Sequence, residues 1–221
     1  MSVMPHDEEL QRKAAAYHES GHVVVGYWFG WWLNSEGVEI DGLWYTGCRK
    51  LPPDNTVEAD VVNSLAGWLS EHKWHGKGRA HVEDEEAIDV LEAVRIDDSE
   101  ELAEVGDLAD VARKLHEQDP KITDENFLKA VTAYRDQTLA ILAEPAVWRS
   151  IEKVAAALLA FGRLSDEDAQ EAIGDELIFG RGCSRLIKLK KFLDQQSGAA
   201  PPGLVTDDSF WHRSRLASGM R

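Results

Sequence analysis

The residues best suited to chemistry lie close together near the beginning of the chain, in the segment His18-Glu19-Ser20-Gly21-His22. The apolar and small residues around it predict an α-helix, in which positions 18 and 22 lie one turn apart on the same face. Two imidazoles in this arrangement can occupy two corners of a tetrahedral zinc site. A carboxylate at position 19 can accept a proton from a metal-bound water and later pass it to a leaving amine. The spacing is therefore typical of zinc metalloproteases.

An ordinary explanation of the same residues exists, because such a five-residue pattern also arises by chance and a helix can carry two histidines on its polar face. Two features favour the metal. Ser20 and Gly21 are small and leave the face open, and the helix is strongly apolar on both sides of the motif. The three polar side chains are therefore expected to be at least half buried, and buried polar groups need partners that a metal ion would supply. We expect His18 and His22 to bind Zn²⁺, with Glu19 as the catalytic residue.

The residues around the motif resemble those of a known family. Tyr17 to His22, followed by Val23 to Gly26, is similar to the motif helix of the FtsH-type ATP-dependent zinc proteases, with Ser20 where alanine is usual. A second stretch, Leu65 to Glu71, resembles a segment where that family shows an Ala-Gly or Gly-Gly pair and then glutamates. The resemblance implies that Glu71 supports a zinc ligand from outside the coordination shell. It extends over roughly residues 12–174 and is weakest between 77 and 105.

The resemblance also implies a third ligand, because catalytic zinc takes three protein ligands and one water. In the FtsH-type family this ligand is an aspartate at the start of a helix. Asp107, in Gly106-Asp107-Leu108-Ala109, matches that pattern best and is the candidate. Asp84 is the alternative, because it lies closer to the distance from Gly67 that the family shows.

The periodicity of the chain predicts a mainly α fold with a minor β component, a helical zincin-like peptidase domain with a small hairpin near the zinc helix. Between Gly37 and Leu51, alternating apolar residues flank an Asp41-Gly42 turn signal, which predicts that hairpin. An exposed strand edge there can hold an extended peptide by main-chain hydrogen bonds, or the hairpin can simply cover the core. Helix starts are predicted at Thr56 or Asn55, at Thr123, at Pro145 and at Ser165. The expected organisation is one domain over residues 1–195 and a mobile tail over 196–221.

Composition limits the partners and the location. Acidic residues outnumber basic ones 40 to 24, for a formal charge of −16. Such a surface repels phosphate backbones and anionic lipid, so nucleic-acid and membrane-surface binding are not expected. No apolar run is long enough to span a bilayer, and Met1 to Lys13 has no signal-peptide core. Cys48 and Cys183 are far apart in the sequence and suit a reducing compartment, so a cytoplasmic location is expected.

The expected function is zinc-dependent hydrolysis of peptide bonds in a peptide or an unfolded protein. The chain contains no Walker phosphate loop, so the ATP-driven behaviour of the FtsH-type proteases does not carry over. The alternative is a catalytically inactive helical interaction or scaffold protein with a relict or structural metal site. Hydrolysis of a non-peptide amide would need the same residues and stays open, as does the oligomeric state.

Overall fold

The computed structural model describes residues 5–41, 45–49, 56–76, 84–96 and 106–174. Within these ranges the chain forms seven α-helices and a three-stranded sheet, which confirms the predicted mainly α fold with a small β component. The elements in chain order are α1 Pro5–Trp28, β1 Trp32–Glu39, β2 Tyr45–Arg49, α2 Val57–Trp74, α3 Asp84–Ile96, α4 Gly106–Gln118, α5 Asp124–Leu142, α6 Pro145–Phe161, β3 Arg163–Leu164 and α7 Asp166–Ile173. The predicted domain boundary at 195 and the tail over 196–221 lie outside the described residues.

Local capping residues set several of the helix starts, as the sequence predicts. The Thr56 hydroxyl caps α2 and the Thr123 hydroxyl caps α5, each accepting a hydrogen bond from a backbone N–H of the first turn. Ser165 forms a reciprocal capping box with Asp168 at the start of α7. Pro145 occupies the first turn of α6, where its missing N–H costs no hydrogen bond.

Helix α1 is the centre of the packing. It lies against α2 and α6, and α2 in turn contacts α4 and α5. Val23, Val24 and Val25 of α1 are fully buried, and Trp28 and Trp31 belong to the core. Because α1 is covered on several sides, the polar residues in its middle are also removed from water. No helix in the described ranges combines the length and the apolar character that crossing a membrane requires.

The sheet has the order β2-β1-β3 with antiparallel pairing on both sides of β1. Val38 and Glu39 pair with both neighbours, and Val38 lies opposite Thr46 on β2 and Leu164 on β3. Strand β1 begins at Trp32, earlier than the alternation from Val38 predicts, because an irregularity between Leu33 and Val38 interrupts the period-two pattern. The predicted turn after Asp41 falls on residues 42–44, which lie outside the described residues.

Candidate metal centre

Three potential ligand atoms meet between α1 and the first turn of α4. The Nε2 atoms of His18 and His22 lie 3.2 Å apart. Oδ2 of Asp107 lies 3.1 Å from the first of them and 3.3 Å from the second. Atoms bound at 2.0–2.1 Å from one ion with tetrahedral angles are about 3.3 Å apart. The three atoms therefore have the mutual spacing that a tetrahedral metal ion imposes on its ligands.

In each imidazole, the hydrogen bond made by Nδ1 determines which ring nitrogen is protonated and which carries a lone pair. His22 Nδ1 lies 2.8 Å from the backbone oxygen of Asn63, which can only accept, so Nδ1 is the protonated nitrogen. His18 Nδ1 faces Oε2 of Glu71 at 3.4 Å, again an acceptor. In the neutral imidazoles both Nε2 atoms therefore direct lone pairs toward the carboxylate of Asp107. This is the protonation state that metal-binding histidines need.

Three acceptor atoms lie within hydrogen-bonding distance of one another here, so a positively charged group is needed between them. With both imidazoles neutral, Oδ2 of Asp107 is buried and receives no hydrogen bond from the described residues. A cation would satisfy it, and without a cation a proton must take that place. Burial lowers the pKa of His18, but hydrogen bonds to Asp107 and Glu71 outweigh this effect and raise the pKa to about 10. The pKa of His22 is also raised, because the negative charge of Asp107 outweighs the effect of burial. Burial raises the pKa of Asp107, but the two imidazoles hold it well below its usual range.

Helix α2 provides no ligand but shapes the site through residues spaced four apart. Asn63 and His22 exchange two hydrogen bonds, because the Asn63 side chain also donates to the His22 backbone oxygen at 2.8 Å. Gly67 comes next along the same face, and a Cβ there would lie 2.3 Å from His22 Nε2 and 2.8 Å from His18 Cδ2. Glu71, four residues further along this face, contacts Nδ1 of His18. The backbone of α2 thus lies directly against the imidazoles, and a side chain at position 67 would occupy their space.

Glu19 lies on α1 beside His18 and is 4% exposed. Its carboxylate Oε2 accepts a hydrogen bond from the hydroxyl of Thr46 on β2. Its negative charge contributes to the raised pKa of both His18 and His22, as expected for a carboxylate near the site. A carboxylate at this position is shielded from bulk water and is near enough to both imidazoles to affect their pKa values.

Every residue in the predicted site therefore has a defined position, and the structure brings His18, His22 and Asp107 together as one group that could hold a metal ion. The alternative ligand, Asp84, begins α3, and its side chain lies outside the described residues. Glu71 contacts His18, as the resemblance implies.

The contacts of Asn63, Gly67 and Thr46 were not predicted. The His22–Asn63 contact spans 41 residues and the Glu19–Thr46 contact spans 27, so neither has a local sequence signal. The four-residue spacing of 63, 67 and 71 could have indicated a common helix face.

Comparison with models of known protein families gives no match to this chain, and comparison with curated proteins gives none either. The resemblance to the FtsH-type proteases therefore stays a prediction from the motif residues.

Proposed function

We propose that this chain is a zinc-dependent peptidase domain that hydrolyses peptide bonds through a metal-activated water. The observation that carries the proposal is the triangle formed by two imidazole Nε2 atoms and one carboxylate oxygen, with sides of 3.1–3.3 Å. Two nitrogen ligands and one oxygen suit zinc, whereas magnesium and calcium prefer sites made of oxygen alone. His18, His22 and Asp107 would hold the ion and leave a fourth position for the reacting groups.

The division of chemical roles follows from this arrangement. A bound zinc ion would supply Lewis acidity, which polarises the scissile carbonyl and lowers the pKa of a water to about 7. Glu19 would accept the proton of the attacking water while the C–O bond forms. It would then deliver that proton to the amide nitrogen as the C–N bond breaks. Glu71 and Asn63 would hold the two imidazoles with their Nε2 lone pairs facing the ion.

The sheet suggests how a substrate would be held. Strand β2 is the outer strand in the described part of the sheet, and it lies against α1 next to Glu19. An extended peptide adding to this edge would form main-chain hydrogen bonds and present its backbone near the base. This mode suits peptides and unfolded segments, since a folded protein offers few free strands.

The acidic charge of −16 disfavours nucleic acid as a substrate. We also propose a reducing, cytoplasmic location, from the two widely separated cysteines.

The test uses the full chain, stripped of metal and reloaded with zinc. We expect one zinc per chain and cleavage of unfolded casein that a chelator removes and added zinc restores. Glu19→Gln should lower cleavage by a factor on the order of 10² to 10⁴ and still bind zinc. Glu171→Gln, an exposed carboxylate change on α7, is the matched control and should leave cleavage unchanged.

Two outcomes would overturn the proposal. Zinc binding without any chelator-sensitive cleavage would favour the alternative, an inactive protein with a relict or structural site. Full activity in Glu19→Gln would remove Glu19 from the mechanism.

A further inference from the structure

Thr46 lies on the face of the sheet that covers α1. It is directly opposite Val38 in the β1–β2 register, and Val38 is 0% exposed. Directly paired residues of antiparallel strands project to the same face, so the Thr46 side chain points inward with that of Val38. There its hydroxyl donates a hydrogen bond to Oε2 of Glu19 and lies 3.5 Å from the Glu19 backbone oxygen. One strand residue thus contacts the proposed base at two points.

The Glu19 carboxylate needs this contact. A carboxylate that is 4% exposed loses most of its hydration, and it is stable only with hydrogen-bond donors around it. Among the described residues, the Thr46 hydroxyl is the donor to Oε2, and none donates to Oε1. The terminal torsion of a glutamate is broad, so an untethered carboxylate would rotate between several orientations. A donor fixed on a strand restricts that rotation and leaves Oε1 to exchange protons.

We propose that Thr46 is a positioning residue that holds the Glu19 carboxylate in the orientation its role as base requires. Its hydroxyl acts through Glu19. The inference rests on the proposed peptidase function. It adds a link to substrate binding, because the strand offered to the peptide also carries the residue that orients the base.

Three variants separate this role from a structural one. Thr46→Val keeps the shape and the β-branched character of the strand residue but removes the hydroxyl. Thr46→Ser restores a hydroxyl at the same position. Thr138→Val is the matched control, because it removes the same hydroxyl from a buried threonine that donates to the backbone oxygen of Tyr134 in its own helix.

The first measurement needs neither zinc nor activity. Denaturant unfolding of the metal-free protein is compared for wild type, Thr46→Val, Glu19→Ala and the double variant. Thr46→Val should lower the folding equilibrium constant about tenfold in wild type, because it leaves a buried carboxylate without its donor. The same change should have an effect of less than about threefold when residue 19 is already alanine.

The second measurement uses the zinc-loaded protein and unfolded casein. Thr46→Val should lower kcat about tenfold or more, with KM and zinc content within about threefold of wild type. Thr46→Ser should recover most of the loss, and Thr138→Val should retain the wild-type kcat.

The outcomes are distinct. Absence of the Thr46–Glu19 coupling in unfolding, or an unchanged kcat in Thr46→Val, would overturn the positioning role and leave the peptidase proposal intact. Absence of any cleavage by the wild-type protein would overturn the proposed function and the positioning role of Thr46 together. Coupling that persists in that case would assign the hydrogen bond to structure alone.

Discussion

Substituting Gly67 by alanine tests the geometry of the candidate metal centre without changing any of its three proposed ligand residues. The added Cβ would lie 2.3 Å from His22 Nε2 and 2.7 Å from His22 Cε1, about 1.1 Å and 0.7 Å short of the 3.4 Å at which ordinary contact begins. The imidazole cannot turn away freely, because its Nδ1 is hydrogen-bonded to the Asn63 backbone at 2.8 Å. Either the ring or the α2 backbone must therefore move by about 1 Å.

Such a displacement is large on the scale of metal coordination. Zinc–nitrogen distances vary by about 0.2 Å, so a shift of 1 Å takes Nε2 out of bonding range. Changes in groups that merely orient ligands lower metal affinity 10- to 100-fold, and loss of a ligand should exceed this. We therefore expect Gly67→Ala to weaken zinc binding by at least about 100-fold. The fold should persist, because better helix propensity, worth about 1 kcal/mol, partly offsets an overpacking cost of about 1–3 kcal/mol.

The assay is a zinc titration of the metal-free protein against a competing coloured chelator, with denaturant unfolding to verify the fold. Gly76→Ala is the control: its backbone φ of +62° makes alanine strained, but a Cβ there meets no atom of the described residues within 4 Å. It should lower stability by roughly 1 kcal/mol and leave zinc affinity unchanged. A folded Gly67→Ala protein with zinc affinity within threefold of wild type would refute the proposed arrangement.

Three further predictions address the surroundings of the site. Glu71→Gln should weaken zinc binding about 10- to 100-fold in the same titration, because it replaces the carboxylate that accepts from His18; unchanged affinity would show that this contact is incidental. In the metal-free protein the pKa of His18 is raised from 6.5 to about 10, so the stability it contributes is complete below pH 6.5 and is lost as pH rises through 10. Thermal unfolding of the metal-free protein should therefore shift to lower temperature from pH 7 to pH 10, and a flat or opposite trend would contradict the ion pair with Asp107. Tyr27, near the C-terminal end of α1, donates a 2.8 Å hydrogen bond to Asp166. Tyr27→Phe should lower the free energy of unfolding by about 1 kcal/mol without altering zinc binding. Weaker zinc binding in this variant would indicate that the site depends on the packing of the whole of α1.

The features that were predictable from the sequence are those decided by near neighbours. Thr56, Thr123 and Ser165 cap helices because their hydroxyls accept from backbone N–H groups three residues away. His18 and His22 converge because a helix fixes the relation of residues four apart. In each case the determining contact lies within one turn, so pattern and propensity suffice.

The features that were not predictable depend on chain segments far apart in sequence. Periodicity alone could not choose between Asp84 and Asp107, because each begins a helix and the choice depends on how that helix packs against α2. The alternation does not predict the early start of β1, because a register irregularity between Leu33 and Val38, a stretch in which Gly37 has a φ of +71°, breaks the pattern that marks a strand. The two-residue strand β3 is too short to carry any alternation of its own.

The contacts of α2 show why the His-Glu-x-x-His motif alone does not determine the geometry of the site. His18, Glu19 and His22 fix the types of atom, but their tautomers and spacing are set by a helix that contributes no ligand. Along one face of α2, a backbone carbonyl at Asn63, a missing side chain at Gly67 and a carboxylate at Glu71 act on the two imidazoles in turn. The Asn63 carbonyl belongs to the backbone, although the Asn63 side chain also links α2 to the His22 backbone, and at Gly67 it is the absence of a side chain that matters. A chain with a larger residue at position 67 would therefore keep the motif but lose the spacing of the three ligand atoms.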